Sequence, residues 1–289
     1  MDPVISVFTV LILLMAFVLV TLGAQVMRRQ KRIRLALRRI DAYRMMPLLI
    51  SEAVESERPI HVSFGSSGIG ADSTVSALAV ADLLYPLVER GAIASQTPIV
   101  SLSDPTALGL AQGTLMRAYR RRNTMEFYTS AAARWYPQGS RSLAFAAGVS
   151  ASIAEEDSNM SVVAGGFGPE IAFIGEQTMR YDQTFLGQSD QLDGQAIAWV
   201  MTQQPLIGEE LYVAGAYLPQ EPAPLHLSQL LAMEGLRLAV IVAILFIAVI
   251  SFAVEWINWI LLGIGITVIV LVVAFLIDTV RQRRRGQAS

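Results

Sequence analysis

Two apolar tracts near opposite ends of the chain constrain its fold most. Residues 4–23 carry no charged side chain, and these twenty residues, at about 1.5 Å rise each, would make about 30 Å of helix, the thickness of a hydrocarbon core. Residues 238–277 would make about 60 Å as one helix, twice a bilayer, so that tract must turn back on itself. Its polar break is Glu255-Trp256-Ile257-Asn258-Trp259, whose tryptophans suit a lipid–water boundary and divide the tract into spans 238–254 and 260–277. A cleavable signal peptide would carry its positive charge ahead of a shorter apolar stretch. Here Asp2 precedes the first tract and the basic residues follow it, as in a retained anchor. Three transmembrane helices are therefore expected, and they account for a hydrophobic content of 53%, above the soluble norm of about 45–50%.

Charge orients the spans. The net charge of −2 conceals a segregation: eight basic and two acidic residues in 1–49, nine and nineteen in 50–232, five and three in 233–289. Arg28, Arg29, Lys31, Arg32, Arg34, Arg38 and Arg39 follow the first span, Arg237 precedes the second, and Arg281, Arg283, Arg284 and Arg285 follow the third. Positive residues are retained on the cytoplasmic side. All of them share that side if the N-terminus is outside and both the central domain and the C-terminus are cytoplasmic. The cluster from Arg28 to Arg44 reads as a topology signal and helical stalk, with recognition of anionic headgroups as the alternative.

The expected organisation is an anchor over 1–27, a basic juxtamembrane helix or stalk over 28–58, an α/β domain over 59–224, an amphipathic lead-in over 225–237, a transmembrane hairpin over 238–277 and a basic tail over 278–289. Within 59–224, short β-forming runs at 60–64, 98–102, 131–136, 160–164 and 184–186 alternate with helical stretches at 73–90, 105–121, 142–155, 169–179 and 196–201, with a further helix at 206–217. Alternation with short loops implies right-handed crossovers, and so a Rossmann-like parallel sheet in a three-layer sandwich.

In such sheets the loops after the strands meet at one edge, where ligands bind at the topological switch point. The candidate ligand residues there are Gly65, Ser66, Ser67 and Gly68 after the first strand, Asp104 after the second, and Gly165, Gly166 and Glu170 after the fourth. Gly65 to Gly70 reads Gly-x-x-Gly-x-Gly, neither the dinucleotide fingerprint nor the Lys-bearing triphosphate loop, and Asp72 stands where a phosphate would approach. The competing reading is a tight turn, with Asp104, Asp190 and Glu170 serving the starts of helices. Absence of cysteine excludes disulfides, zinc-thiolate and iron–sulfur sites and thiol nucleophiles. His61 and His226 are the only histidines, and a Ser67–His61 dyad would require His61, within the first strand, to point out of the loop end. Arg120-Arg121-Arg122 ends a helix, where positive charge suits the terminal carbonyls; a partner dock is the alternative.

His61-Val62-Ser63-Phe64-Gly65-Ser66-Ser67-Gly68-Ile69-Gly70, Ser103-Asp104-Pro105-Thr106, Gly165-Gly166-Phe167-Gly168-Pro169-Glu170 and Leu206-Ile207-Gly208-Glu209-Glu210, in that order, resemble an uncharacterised family of bacterial membrane proteins, a domain of unknown function, over most of residues 40–250. The resemblance implies no activity and supplies no catalytic residues. No metal or cofactor is expected. The expected partners are the lipid bilayer and either another protein or a second copy of the chain, not nucleic acid. The leading expectation is a non-enzymatic scaffold or assembly subunit, and the alternative is a domain that senses or converts a nucleotide or sugar at the loop edge.

Overall fold

The computed structural model describes residues 39–219 apart from 71, 93–95, 139–141 and 203, together with isolated positions between 14 and 22 and between 226 and 244. Residues 20–230 form one compact unit, which contains every strand and helix of the α/β sheet. The remaining unit, residues 1–19 and 231–289, is represented by isolated helical positions such as Leu14, Val18 and Ile244. The expected spans and the basic residues Arg28, Arg29, Lys31, Arg32, Arg281, Arg283, Arg284 and Arg285 lie outside the described residues, save for such isolated positions. Among the described residues no helix is long and apolar enough to cross a membrane.

The elements follow as α1 (Asp41–Glu55), β1 (Ile60–Gly65), α2 (Thr74–Gly91), β2 (Ile99–Leu102), α3 (Leu108–Arg122), β3 (Ala133–Trp135), α4 (Leu143–Glu155), β4 (Met160–Gly166), α5 (Ile171–Arg180), β5 (Thr184–Gly187), α6 (Leu192–Met201) and the short α7 (Ala214–Tyr217). All five strands pair in parallel in the order β3-β2-β1-β4-β5. This is the expected α/β, Rossmann-like sheet. Its central strands are buried throughout, because helices cover both faces.

The register assigns the faces. His61 lies beside Ser161, Ser63 beside Ser101 and Val163, and Ser101 beside Arg134. This polar row faces the layer containing α4, where Arg134 reaches Ser152 at 3.2 Å. Around it Phe145, Val149 and Ile153 of α4 join Ile171 and Ile174 of α5, Val163, Phe167, Phe185 and Ala198 in one apolar core. The opposite face presents Val62, Phe64, Val100, Leu102 and Val162, all fully buried, toward α2 and α3.

The expected stalk over 28–58 differs in its second half. Residues 41–55 form α1, which buries Ala42, Tyr43, Met46, Leu49, Ile50 and Ala53 and packs on α2. An apolar face of that width needs a protein surface, so this part of the chain belongs to the domain. The single helix expected over 206–217 is instead a 3-10 segment, Gly208–Val213, followed by α7. Gly208 adopts φ +53°, a left-handed conformation that a continuous α-helix does not accommodate.

Candidate functional site

The chain leaves β1 toward β2 on one side and returns from β3 to β4 on the other, so the switch point lies between the C-terminal ends of β1 and β4. The structure brings the predicted loop residues together there, and they bond mainly to one another. Ser66 donates through its amide and its hydroxyl to the Gly166 carbonyl, at 2.8 and 2.9 Å. The Gly166 amide donates to Ser67 Oγ at 2.7 Å, and that fully buried hydroxyl donates to Ser76 Oγ at 3.2 Å. Gly65 and Gly165 hold φ +59° and +115°, and a Cβ on Gly65 would overlap the Gly166 carbonyl and the Phe167 ring. Glycine at these positions permits the close approach of two loops. Phe167, fully buried, fills the space behind them.

A phosphate at this edge would need free backbone N–H groups. The amide of Ser67 donates to the Phe64 carbonyl, that of Gly68 to Ser73 Oγ, that of Ile69 to Thr106 Oγ1 and that of Gly70 to Thr74 Oγ1. With Ser66 on Gly166, each amide from Ser66 to Gly70 has a protein acceptor. Asp104 accepts from the Thr106 amide at 2.8 Å and from its hydroxyl at 2.6 Å, and its carboxylate occupies the place a Gly68 side chain would take. Glu170, nearly buried, accepts from the Gly168 amide at 2.9 Å. The carboxylates thus order turns and a helix start. Gly165 donates to the Gln188 side chain, which ties in the loop after β5.

His61 stays in its strand. Its Nε2 lies 2.8 Å from Ser101 Oγ, which donates to Ser63 Oγ at 2.8 Å, whereas Nδ1 is buried without a partner. Burial foremost, with the Arg134 charge adding to it, lowers its pKa to about 3, so the ring is neutral at pH 7. It makes no dyad with Ser67. Among the described residues no group of His, Asp and Glu has the arrangement of a metal site.

A family profile described as "Domain of unknown function (DUF6754)" matches residues 4–263. The chain belongs to this family. No curated protein and no solved structure matches it. The match bears out the resemblance to an uncharacterised family, and the function of this DUF6754 chain is accordingly not given by any relative.

Sequence reasoning missed a cleft of about 1140 Å³ on the outer side of α2 and α3. Its lining includes Arg90 at the end of α2, Arg117, Arg120, Arg121 and Arg122 on α3, and Gly215, Pro219 and His226 beyond them in sequence. The signal in the sequence was the triple arginine, which the helix-terminus reading absorbed.

Proposed function

We propose that the protein is a membrane-anchored, non-enzymatic scaffold or assembly subunit of the bacterial inner membrane, with its N-terminus outside and its α/β domain and C-terminus in the cytoplasm. On this reading the domain associates with a protein partner or a second copy of the chain. The observation that carries it is the outer face of α6. Leu192 is 91% exposed, Trp199 56% and Val200 81%, and with exposed Ala196 they recur at helical spacing along one stripe. Exposed aromatic and aliphatic side chains grouped on one helix mark interaction surfaces. The occupied amides of the first loop and the Phe167 plug favour binding through a surface over chemistry at the switch point.

Membrane residence is supported by the two apolar tracts, 4–23 and 238–277, and by the isolated positions Leu14, Met15, Val18 and Leu22. These are helical, with apolar side chains 39–63% exposed, a pattern that water penalises and lipid accommodates.

The test is purification from native membranes with size measured in detergent. We expect a complex larger than the monomer that is lost in Trp199→Asp and Val200→Asp variants of unchanged thermal stability. A parent that runs as a free monomer and retains no partner overturns the proposal. A reporter fused after Ser289 is expected on the cytoplasmic side, and its export would overturn the topology.

A further inference from the structure

The α/β region is acidic overall, yet five of the nine basic residues between 50 and 232 line one cleft. Among the described lining residues, Arg90, Arg117, Arg120, Arg121 and Arg122 face two carboxylates, Asp82 and Glu89. The concentration arises from packing. Arg117, Arg120 and Arg121 recur at i, i+3 and i+4 on α3, so they share a face, and the contact of α2 with α3 brings Arg90 beside them.

We propose that this cleft binds a phosphate-bearing anion, with the headgroup of an anionic lipid as its expected source. The guanidinium of Arg117 lies over the Tyr85 ring, 4.6 Å from its centre, a cation–π contact. Arg90 spends one N–H on the Leu218 carbonyl at 2.7 Å and Arg122 one on the Glu89 carbonyl at 2.9 Å. Arg121 stands 3.9 Å from the Glu89 carboxylate, a loose pair. A guanidinium has five N–H donors, so each of these keeps donors for the planar, bidentate bonding that phosphate oxygens favour. The terminal carbonyls of α3 subtract about half a charge, too little to offset the surplus of arginines over carboxylates. Pocket volumes for small ligands run to about 1,000 Å³, so the cleft has room for a headgroup. An extended polyanion would also meet the net negative charge carried by residues 50–232, which favours a compact ligand. The lipid source rests on the membrane reading above: from His226 in the cleft wall the chain reaches the apolar tract at residue 238 in twelve residues.

The full chain in zwitterionic micelles provides the test, with inorganic pyrophosphate and phosphatidylglycerol-doped micelles as separate probes and the thermal unfolding midpoint as readout. We expect a saturable rise in the midpoint that declines with added salt, as for any exposed ionic contact. Arg120→Glu with Arg121→Glu should weaken the apparent affinity by about tenfold or more, whereas Arg180→Glu, remote from the cleft lining, should leave it unchanged. If the double variant unfolds differently without ligand, Arg120→Gln with Arg121→Gln carries the same comparison. A response to doped micelles alone supports the lipid source, and a response to pyrophosphate as well supports the cleft chemistry with a soluble source also admitted. No response to either probe, or a double variant that responds like the parent, overturns the proposal. Failure of the membrane reading leaves the pyrophosphate comparison intact, so the two are distinguishable.

Discussion

The hydroxyl of Tyr43, in the first turn of α1, donates to the main-chain carbonyl of Glu210 at 2.5 Å, across 167 positions of sequence. The same ring stacks on Tyr217 of α7 with centroids 5.4 Å apart. Entry and exit of the α/β domain are therefore fastened to each other through one buried side chain. Burial foremost, then the Glu210 and Tyr217 charges, raise the phenol pKa well above 10, so it remains a donor across the working pH range. Tyr43→Phe keeps the ring stack and removes the hydrogen bond, and should cost about 0.5–1.5 kcal/mol. Tyr43→Leu should cost about 1 kcal/mol more through loss of the stack. Denaturant unfolding of the three proteins measures both steps, and equal stability of Tyr43→Phe and the parent would exclude the contribution of the bond.

His61 makes stability depend on acid. Its pKa is about 3 when folded against about 6.5 in the unfolded chain, so between these values the unfolded state binds more protons. Above pH 6.5 both states are neutral and the group contributes no pH dependence. As pH falls from 6.5 toward 3, folding should lose up to about 1.4 kcal/mol per pH unit from this residue. Comparison of the parent with His61→Leu at pH 7 and pH 5 isolates the effect from other titrations. The parent should lose more stability than the variant between the two values, and parallel losses would refute the assignment.

At the switch point, Ser67→Ala leaves the Gly166 amide buried without its acceptor and should cost about 1–3 kcal/mol. Gly165→Ala should cost more, because φ is +115° and the added Cβ would lie 2.5 Å from Ser67 Oγ and 2.7 Å from the Phe64 carbonyl. Phe167→Ala removes a fully buried ring and should cost about 3–5 kcal/mol while opening the space behind the loops. Unfolding midpoints rank the variants. A Gly165→Ala protein as stable as Ser67→Ala would contradict the close approach described.

The Arg180–Glu176 pair is short, 2.6 Å, but its side chains are 68% and 55% exposed. An i,i+4 pair in that setting is screened by water and salt, so Glu176→Gln should change stability by no more than about 0.5 kcal/mol. A larger loss, measured by thermal unfolding at two salt concentrations, would place this pair in a less solvated environment than its exposure indicates.

The sheet was legible because β1, β4 and the edge strand β5 are β-forming runs closed by glycine. The runs expected at 60–64, 160–164 and 184–186 correspond to Ile60–Gly65, Met160–Gly166 and Thr184–Gly187. The other edge strand, β3, was less so. Ala133–Trp135 is shorter than the expected 131–136, since a 3-10 turn at Ser130–Ala132 precedes it and pairing to β2 holds three residue pairs. Periodicity set the helices, but it did not distinguish a stalk from a packed layer at 41–55, because both present an apolar stripe. For the candidate site, the sequence brought the loops to one edge but left open whether their donors were free. The bonds that occupy some of them join residues far apart in sequence, Ser66 and Ser67 to Gly166 and Ile69 to Thr106, where no local pattern reveals a partner.

By itself the sequence determined the alternation of strand and helix, hence a parallel α/β sheet, and the distribution of charge along the chain. These follow from local propensity and hydrophobic period, which act over a few residues. Tertiary structure alone decided the filled crevice between β1 and β4, the neutral His61 and the gathering of five arginines, because burial and long-range contact set which donors are satisfied and which charges become neighbours.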